Sequence, residues 1–487
     1  MLVLKSGSLE KIRTQAIVIP VLRDHEIYSD KTLSSLIQEA KKRKEFNGDE
    51  KDELIFFDLP RMKAERVIFV GMGKLSEIKA ESFRRLAGNC VRKCINKGLS
   101  DILIALPSPS KIQIEISTII EAISEGAYLG NHIFDKYKNV KKVKPLKKIG
   151  LLTTSVNEKQ NQSLLWQVKT ICDGTILARN WVSTPPNDKK PEQFARAVAE
   201  SASKEKIKVR ILDEKAIKKL KMGALLAVAA GSNSKPRLLL MEYRPERAKK
   251  TVTLVGKGVT FDSGGINLKQ SGSLEDMKMD MAGAAAVAAT LITAARLGLK
   301  KNIIGVIPIV ENMPSGTATR PGDIIKSYAG KTIEVGNTDA EGRLILVDSI
   351  SYAIKKYKPE MLIDLATLTG ACVMALGEKI AGIFSFDDDL ATSIIKAGEK
   401  THERCWRLPL PDDYKDLIKS DFADIKNLSS SKGGGAITAA LFLSEFTEGT
   451  RWAHIDIAGP AYAKKQNAYC GAGGTGFGVR LLCELLK

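Results

Sequence analysis

V-G-N-T-D-A-E-G-R-L-I-L, residues 335–346, is the stretch from which the rest of the chain is read. Ahead of it, residues 331–335 alternate like a strand. Behind it, Leu344 to Lys356 carries apolar residues at helical spacing, so the motif is expected on a strand-to-helix turn. Open α/β sheets bind their ligands at such turns. Asp339 and Glu341 are two apart: a regular helix would diverge them, whereas an extended turn points both carboxylates to one side. Arg343 follows on the same turn. Taken alone, D-A-E-G-R reads as a helix cap followed by solvated first-turn charges. A site requires further carboxylates to converge here.

A second stretch supplies them. Thr251 to Val255 reads as a short buried strand running into G-K-G-V-T-F-D-S-G-G-I-N-L-K (256–269), and E-D-M-K-M-D-M-A-G-A-A-A (275–286) opens a helix. Lys257, Asp262, Lys269 and Asp280 thus cluster past a strand end. Glycines at 256, 258, 264 and 265 suit sharp turns or close approach to a ligand. The spacing matches neither a P-loop nor G-x-G-x-x-G, which disfavours a nucleotide site. Asp262, Asp280, Asp339 and Glu341 in one partly dry pocket would repel one another, and would have to take up protons or bind cations. Two divalent ions would balance them, an arrangement that polarises a carbonyl and generates hydroxide at neutral pH. A lysine beside such ions would lose its proton and could ligate metal.

V-G-K-G-V-T-F-D-S-G-G-I, M-D-M-A-G-A-A and N-T-D-A-E-G-R-L together resemble the leucyl aminopeptidase family, the cytosolic dinuclear-metal aminopeptidases. The resemblance continues through A-T-L-T-G-A (366–371), residues 420–427, G-G-A-I-T-A-A (434–440), W-A-H-I-D-I-A-G-P-A (452–461) and G-T-G-F-G-V-R-L-L (474–482), and so covers the C-terminal two thirds. It implies one tightly held metal on Lys257, Asp262, Asp280 and Glu341. A second, more exchangeable metal would sit on Asp262, Asp339 and Glu341, with manganese or zinc as the ions. Lys269 would stay protonated and polarise the scissile carbonyl, and Arg343 would hold a bicarbonate serving as general base. Met277, Thr367 and Gly370 match the pocket for the first side chain; Asn337 and Leu368 match positions lining the cleft. The implied activity is hydrolysis of the N-terminal peptide bond of short peptides, leucine preferred, in intracellular peptide turnover. The implied assembly is a homo-hexamer, a dimer of trimers.

The 487 residues exceed one core, so two domains are expected. No run in the sequence reads as membrane-spanning, and the first ten residues lack a signal peptide's apolar centre, from which a cytoplasmic location is expected. Seven cysteines with no C-x-x-C pairing suggest reduced thiols, with Cys90 and Cys94 as buried small hydrophobes. Four scattered histidines without H-E-x-x-H disfavour a histidine-ligated zinc protease, and His454 reads as a satisfied core residue. A formal net charge of +19 is spread along the chain, densest at 136–148. It suggests a basic surface and permits the accessory DNA-binding role that the resemblance implies as the alternative function.

The fold class expected is α/β: an N-terminal α/β domain over 1–155 serving assembly or regulation, a connecting helix and linker over 156–186, and a larger catalytic domain over 187–487. That last domain is expected to hold a mixed central sheet flanked by helices. G-M-G-K at 71–74 has no third glycine at the fingerprint spacing and reads as a turn.

Overall fold

The apolar runs of the first third pair into one six-stranded sheet. Its order is Leu2–Ser6, Lys148–Thr153, Asp101–Ala105, Ile17–Val21, Arg66–Gly71, Glu53–Phe57. Every pairing is parallel except the last, where Glu53–Phe57 runs antiparallel on the edge. Two elements have no counterpart in the apolar periodicity. Leu2–Ser6 is a short edge strand, and Lys31–Lys41 is a helix whose start is fixed by Asp30 accepting from Leu33 N–H. Helices Ala80–Asn96 and Ile116–Gly130 pack closely because Gly126 lies against the Arg84 carbonyl, where a Cβ would meet that oxygen at 2.0 Å. Cys90 and Cys94 face the core, and all seven cysteines are buried.

This computed structural model describes residues 2–7, 9–43, 45–60, 62–141, 143–153 and 158–487. The chain divides into two units, Met1–Cys172 with Lys465–Gly471 and Asp173–Lys464 with Ala472–Lys487. The division falls within helix Glu158–Ser183. The boundary expected at residue 155, and Lys142 of the basic run, lie outside the described residues.

The second unit is built on a mixed nine-stranded sheet. Eight of its strands follow the order Cys405–Arg407, Ala381–Phe384, Trp452–Asp456, Met361–Ala366, Thr251–Gly256, Asn302–Asn312, Arg237–Tyr243, Ile207–Leu212, and the ninth, Gly258–Asp262, pairs with Asn302–Asn312 off this path. Thr251–Gly256 is central and parallel to both neighbours. Helix Ala282–Leu297 lies on it, nearly all alanine, glycine and small apolar residues, and buried from Ala282 to Ala294. Gly283 lets the helix touch the sheet, since a Cβ there would come within 2.1 Å of Leu365 O. Residues Ser271–Leu297 are long and apolar enough to cross a membrane, contrary to the reading of the bare sequence, but 83% of the apolar window is buried inside the fold. That makes it a core helix.

Two local expectations are corrected. Residues 258–262, expected past the strand end where glycines suit sharp turns, form a strand parallel to Asn302–Asn312. The strand before D-A-E-G-R, Thr332–Glu334, belongs to a separate three-stranded sheet with Ile324–Lys326 and Ile425–Lys426, not to the large sheet. Alternation over a few residues identifies a strand without choosing its partner.

Candidate active site

Asn302–Asn312 is long enough to pair first with Thr251–Gly256 and then with Gly258–Asp262, and Lys257 sits at the break between them. Its backbone is held there by Lys257 N–H donating to Leu365 O and by Lys257 O accepting from Ala284 N–H. The side chain enters a buried pocket, where Nζ is 2.8 Å from Asp280 Oδ1 and 2.7 Å from Glu341 Oε1 and donates to Thr367 O at 2.9 Å. Asp280 follows the turn Met277–Met279, and Glu341 is the first residue of helix Glu341–Tyr357. Gly342 explains the glycine of D-A-E-G-R: a Cβ would come within 2.6 Å of Lys257 Cε.

Asp262 closes the cluster. One carboxylate oxygen each from Asp262, Asp280 and Glu341 lie within 4.8 Å of one another, and all three residues are buried. Asp339, on the turn before the helix and about one third exposed, joins through Lys269, whose ammonium bridges Asp262 Oδ2 at 2.8 Å and Asp339 Oδ1. Gly264 and Gly265, with φ of +89° and +66°, wrap the loop tightly enough for Thr338 Oγ1 to donate to Gly264 O at 2.7 Å.

Burial disfavours the charged form of these carboxylates, and their mutual repulsion adds to it; Asp280 is raised well above the usual carboxylate range, and Glu341 and Asp339 are raised too. Burial alone would also discharge Lys257, but Asp280, Glu341 and Asp262 outweigh it and hold its pKa above the ordinary lysine value. The neutral Lys257 expected from the sequence is therefore not the state these residues favour by themselves. A divalent cation among the same carboxylates would reverse the balance. Lys269 is held charged in the same way, chiefly by Asp262 and Glu341 against its partial burial.

The residues fit divalent cations. Asp280 Oδ2 and Asp339 Oδ1 stand at ion-pair distance from lysines yet receive no directed hydrogen bond, so buried anionic oxygens retain free lone pairs. An oxygen-rich donor set with one amine suits manganese, magnesium or zinc.

Around this core, Arg343 is buried, its Nη1 donating to Asn427 O at 2.8 Å while Nε has no protein acceptor. Burial lowers its pKa to about 10. Thr367 Oγ1 donates to Asp280 Oδ1 at 2.7 Å, so this residue touches the carboxylate cluster itself. Leu368 N–H donates to Asp456, Gly370 opens helix Gly370–Leu376 with free space beside it, and Met277 is half-buried on the turn leading to Asp280. Asn337 Oδ1 accepts from Asp339 N–H at 2.8 Å.

Asn312 and Asn427 were not singled out from the sequence. Asn312 Nδ2 donates to Asp262 Oδ1 at 2.8 Å and to Thr338 O, fixing one carboxylate to the neighbouring turn. Asn427, fully buried, accepts from Gly336 and Asn337 N–H and donates to the Asn337 and Ala340 carbonyls, holding the whole turn that carries Asp339. The polar pair Glu311 and Asn312 just past the apolar run Ile303–Val310 was the available signal.

Comparison with known proteins follows the same lines. The model of the cytosol aminopeptidase family's catalytic domain matches residues 176–483, and that of its N-terminal domain residues 19–141. A probable cytosol aminopeptidase of Geobacter sp. (strain M21) is 42% identical over 461 residues, 94% of this chain and 93% of that one. One from Cenarchaeum symbiosum (strain A) is 40% identical over 93% of this chain and 92% of its own. Among solved structures, a point mutant of tomato leucine aminopeptidase superposes with TM-score 0.88 at 32% identity, covering 100% of this chain and 96% of that one. The bottromycin maturation enzyme BotP in complex with Mn gives 0.87 at 32%, covering 97% and 99%.

Proposed function

This chain belongs to the cytosol aminopeptidase family and is a peptide hydrolase, and on that premise we propose how its own residues carry the reaction. The observation that carries the proposal is the buried cluster of Asp262, Asp280 and Glu341, joined by Lys269 to Asp339. Asp262, Asp280, Asp339, Glu341 and a deprotonated Lys257 would hold two divalent cations, manganese or zinc. When bound, these supply Lewis-acid polarisation of the peptide carbonyl and make water a competent nucleophile near neutral pH.

Lys269 keeps its ammonium at the rim of the cluster, where it donates to the scissile carbonyl oxygen and to the charge developing on it. Arg343 has a buried Nε without a protein acceptor, which supports its holding a bicarbonate as general base. Met277, Thr367 and Gly370 bound the pocket for the N-terminal side chain, and Asn337 and Leu368 line the cleft for the residue after it. Leucine is the preferred N-terminal residue and short peptides are the substrates. Six copies assemble as a dimer of trimers. No observation favours the DNA-binding alternative.

The test is hydrolysis of a panel of amino-acid arylamides by the chelator-treated protein, before and after adding manganese or zinc. The leucine compound should be cleaved fastest, and only with metal restored. No hydrolysis of any member by metal-loaded protein, or full activity of demonstrably metal-free protein, would overturn the proposal.

A further inference from the structure

His454 is more than a satisfied core histidine. It lies on strand Trp452–Asp456, fully buried, beside Asp364 of the parallel strand Met361–Ala366. Its Nδ1 donates to Asp364 Oδ1 at 2.6 Å, and Trp452 Nε1 donates to Asp364 Oδ2 at 2.7 Å, so both carboxylate oxygens are engaged. On its other side the ring stacks on Phe384, centroids 5.8 Å apart and planes 23° from parallel. The ring is thus fixed on both flanks, yet Nε2, buried, has no protein partner. A buried polar ring atom left without a protein partner calls for an explanation.

Two residues along the same strand face is Asp456. It accepts from Leu368 N–H and Thr369 N–H at 3.1 Å each and from Thr369 Oγ1 at 2.7 Å, fixing the segment whose Thr367 touches Lys257 and Asp280. We propose that His454, pinned by Asp364, is a positioning residue of the active site, holding the buried arm in which Asp456 orients residues 367–369 beside Arg343. This rests on Arg343 and the Thr367 segment belonging to the catalytic centre.

The charges around it support that role. Strand Met361–Ala366 contributes Asp364, the ring's own strand Asp456, helix Glu341–Tyr357 Arg343, and strand Ala381–Phe384 only an uncharged ring. Burial opposes a charged imidazole and Arg343 opposes it further, but Asp364 and Asp456 outweigh both and raise the pKa above the ordinary histidine value. Asp364, Asp456 and Arg343 therefore surround the ring in a dry interior. Removing the imidazole takes away the buried partner of Asp364 on the strand beside it and loosens the hold of Asp456 on its loop.

The experiment compares holoenzyme with His454→Gln and Asp364→Asn variants, reading imidazole NMR in histidine-labelled protein alongside kcat and KM against pH. Four histidines make assignment by loss of signal practicable. The His454 signal should be that of an imidazolium at pH 7. His454→Gln should lower kcat by about 10–100-fold, the range for outer partners of a site, and should lose an alkaline limb that follows the wild-type NMR midpoint. Asp364→Asn should move that midpoint and limb together to lower pH, which keeps the test decisive if His454→Gln folds poorly. A neutral imidazole at pH 7, an unchanged kcat, or a loss equal at every pH would overturn the proposal. If Arg343→Ala also kept full activity, the assignment of the catalytic centre would fail with it; if Arg343→Ala alone lost activity, only the role of His454 would.

Discussion

Lys257 Nζ stands 2.7 Å from Glu341 Oε1, so a break between two sheet strands and the first turn of a helix share a buried ion pair. Lys269 makes the corresponding contact at the rim, between Asp262 and Asp339. The two lysines separate cleanly by burial, and their roles follow from it.

Replacing Lys269 with alanine removes a charge from beside the reacting carbonyl and leaves the buried carboxylates in place. Turnover should fall by roughly two to three orders of magnitude, with metal content unchanged. Lys257→Ala should lose metal as well as rate if, as proposed, the buried amine is one of the ligands. It should also lower the stability of metal-free protein by about 3–5 kcal/mol, since Asp280 and Glu341 lose the buried cation that pairs with both. Metal analysis and melting curves check both. Metals lost from Lys269→Ala but kept by Lys257→Ala would reverse the two assignments.

Much of this site was legible because its clustered residues sit in two short stretches with a local logic: glycines where the chain must turn, carboxylates on one side of an extended turn. Lys257, Asp262, Asp280 and Glu341 come from those motifs and meet in one pocket. Asn312 and Asn427 were missed because their work is long-range: each bonds a residue far away in sequence, and nothing local marks a buried asparagine as a brace. The separate small sheet was missed for the same reason. Thr332–Glu334 pairs in part with Ile425–Lys426, a partner no periodicity predicts.

Gly342 gives a second prediction. An added Cβ would lie 2.6 Å from Lys257 Cε and 2.8 Å from Nζ, and that side chain, buried and paired on two sides, cannot swing away freely. Gly342→Ala should therefore weaken manganese binding measured by calorimetry, although helix propensity alone would favour alanine by about 1 kcal/mol. Unchanged affinity would mean that Lys257 yields without cost and is no ligand.

Assembly is open to direct measurement. Light scattering at working concentration should give the mass of six chains of 53.1 kDa. A fully active monomer would rule out a hexamer as the working unit.

Asp348, two turns beyond Glu341 on the same helix, provides a pH test of the scaffold. It is fully buried and accepts from Leu225 N–H at 2.9 Å and Tyr328 N–H at 2.7 Å, bracing the first turn of helix Gly223–Ala229. Burial pushes its pKa up to about 7, against the pull of backbone amides that favour the anion. An unfolded aspartate titrates near pH ~3.9. Between about pH 4 and 7 the folded chain thus keeps a proton that the unfolded chain has released, so stability from this group is full below that window and declines as pH rises through it. Asp348→Asn removes the titration but turns an amide donor toward backbone donors, costing about 1–3 kcal/mol at pH 4. The wild-type advantage over Asp348→Asn, measured by melting at a series of pH values, should therefore shrink from pH 4 to 7. An advantage that grows across that range would show that the amide hydrogen bonds outweigh burial and hold the carboxylate below its unfolded pKa.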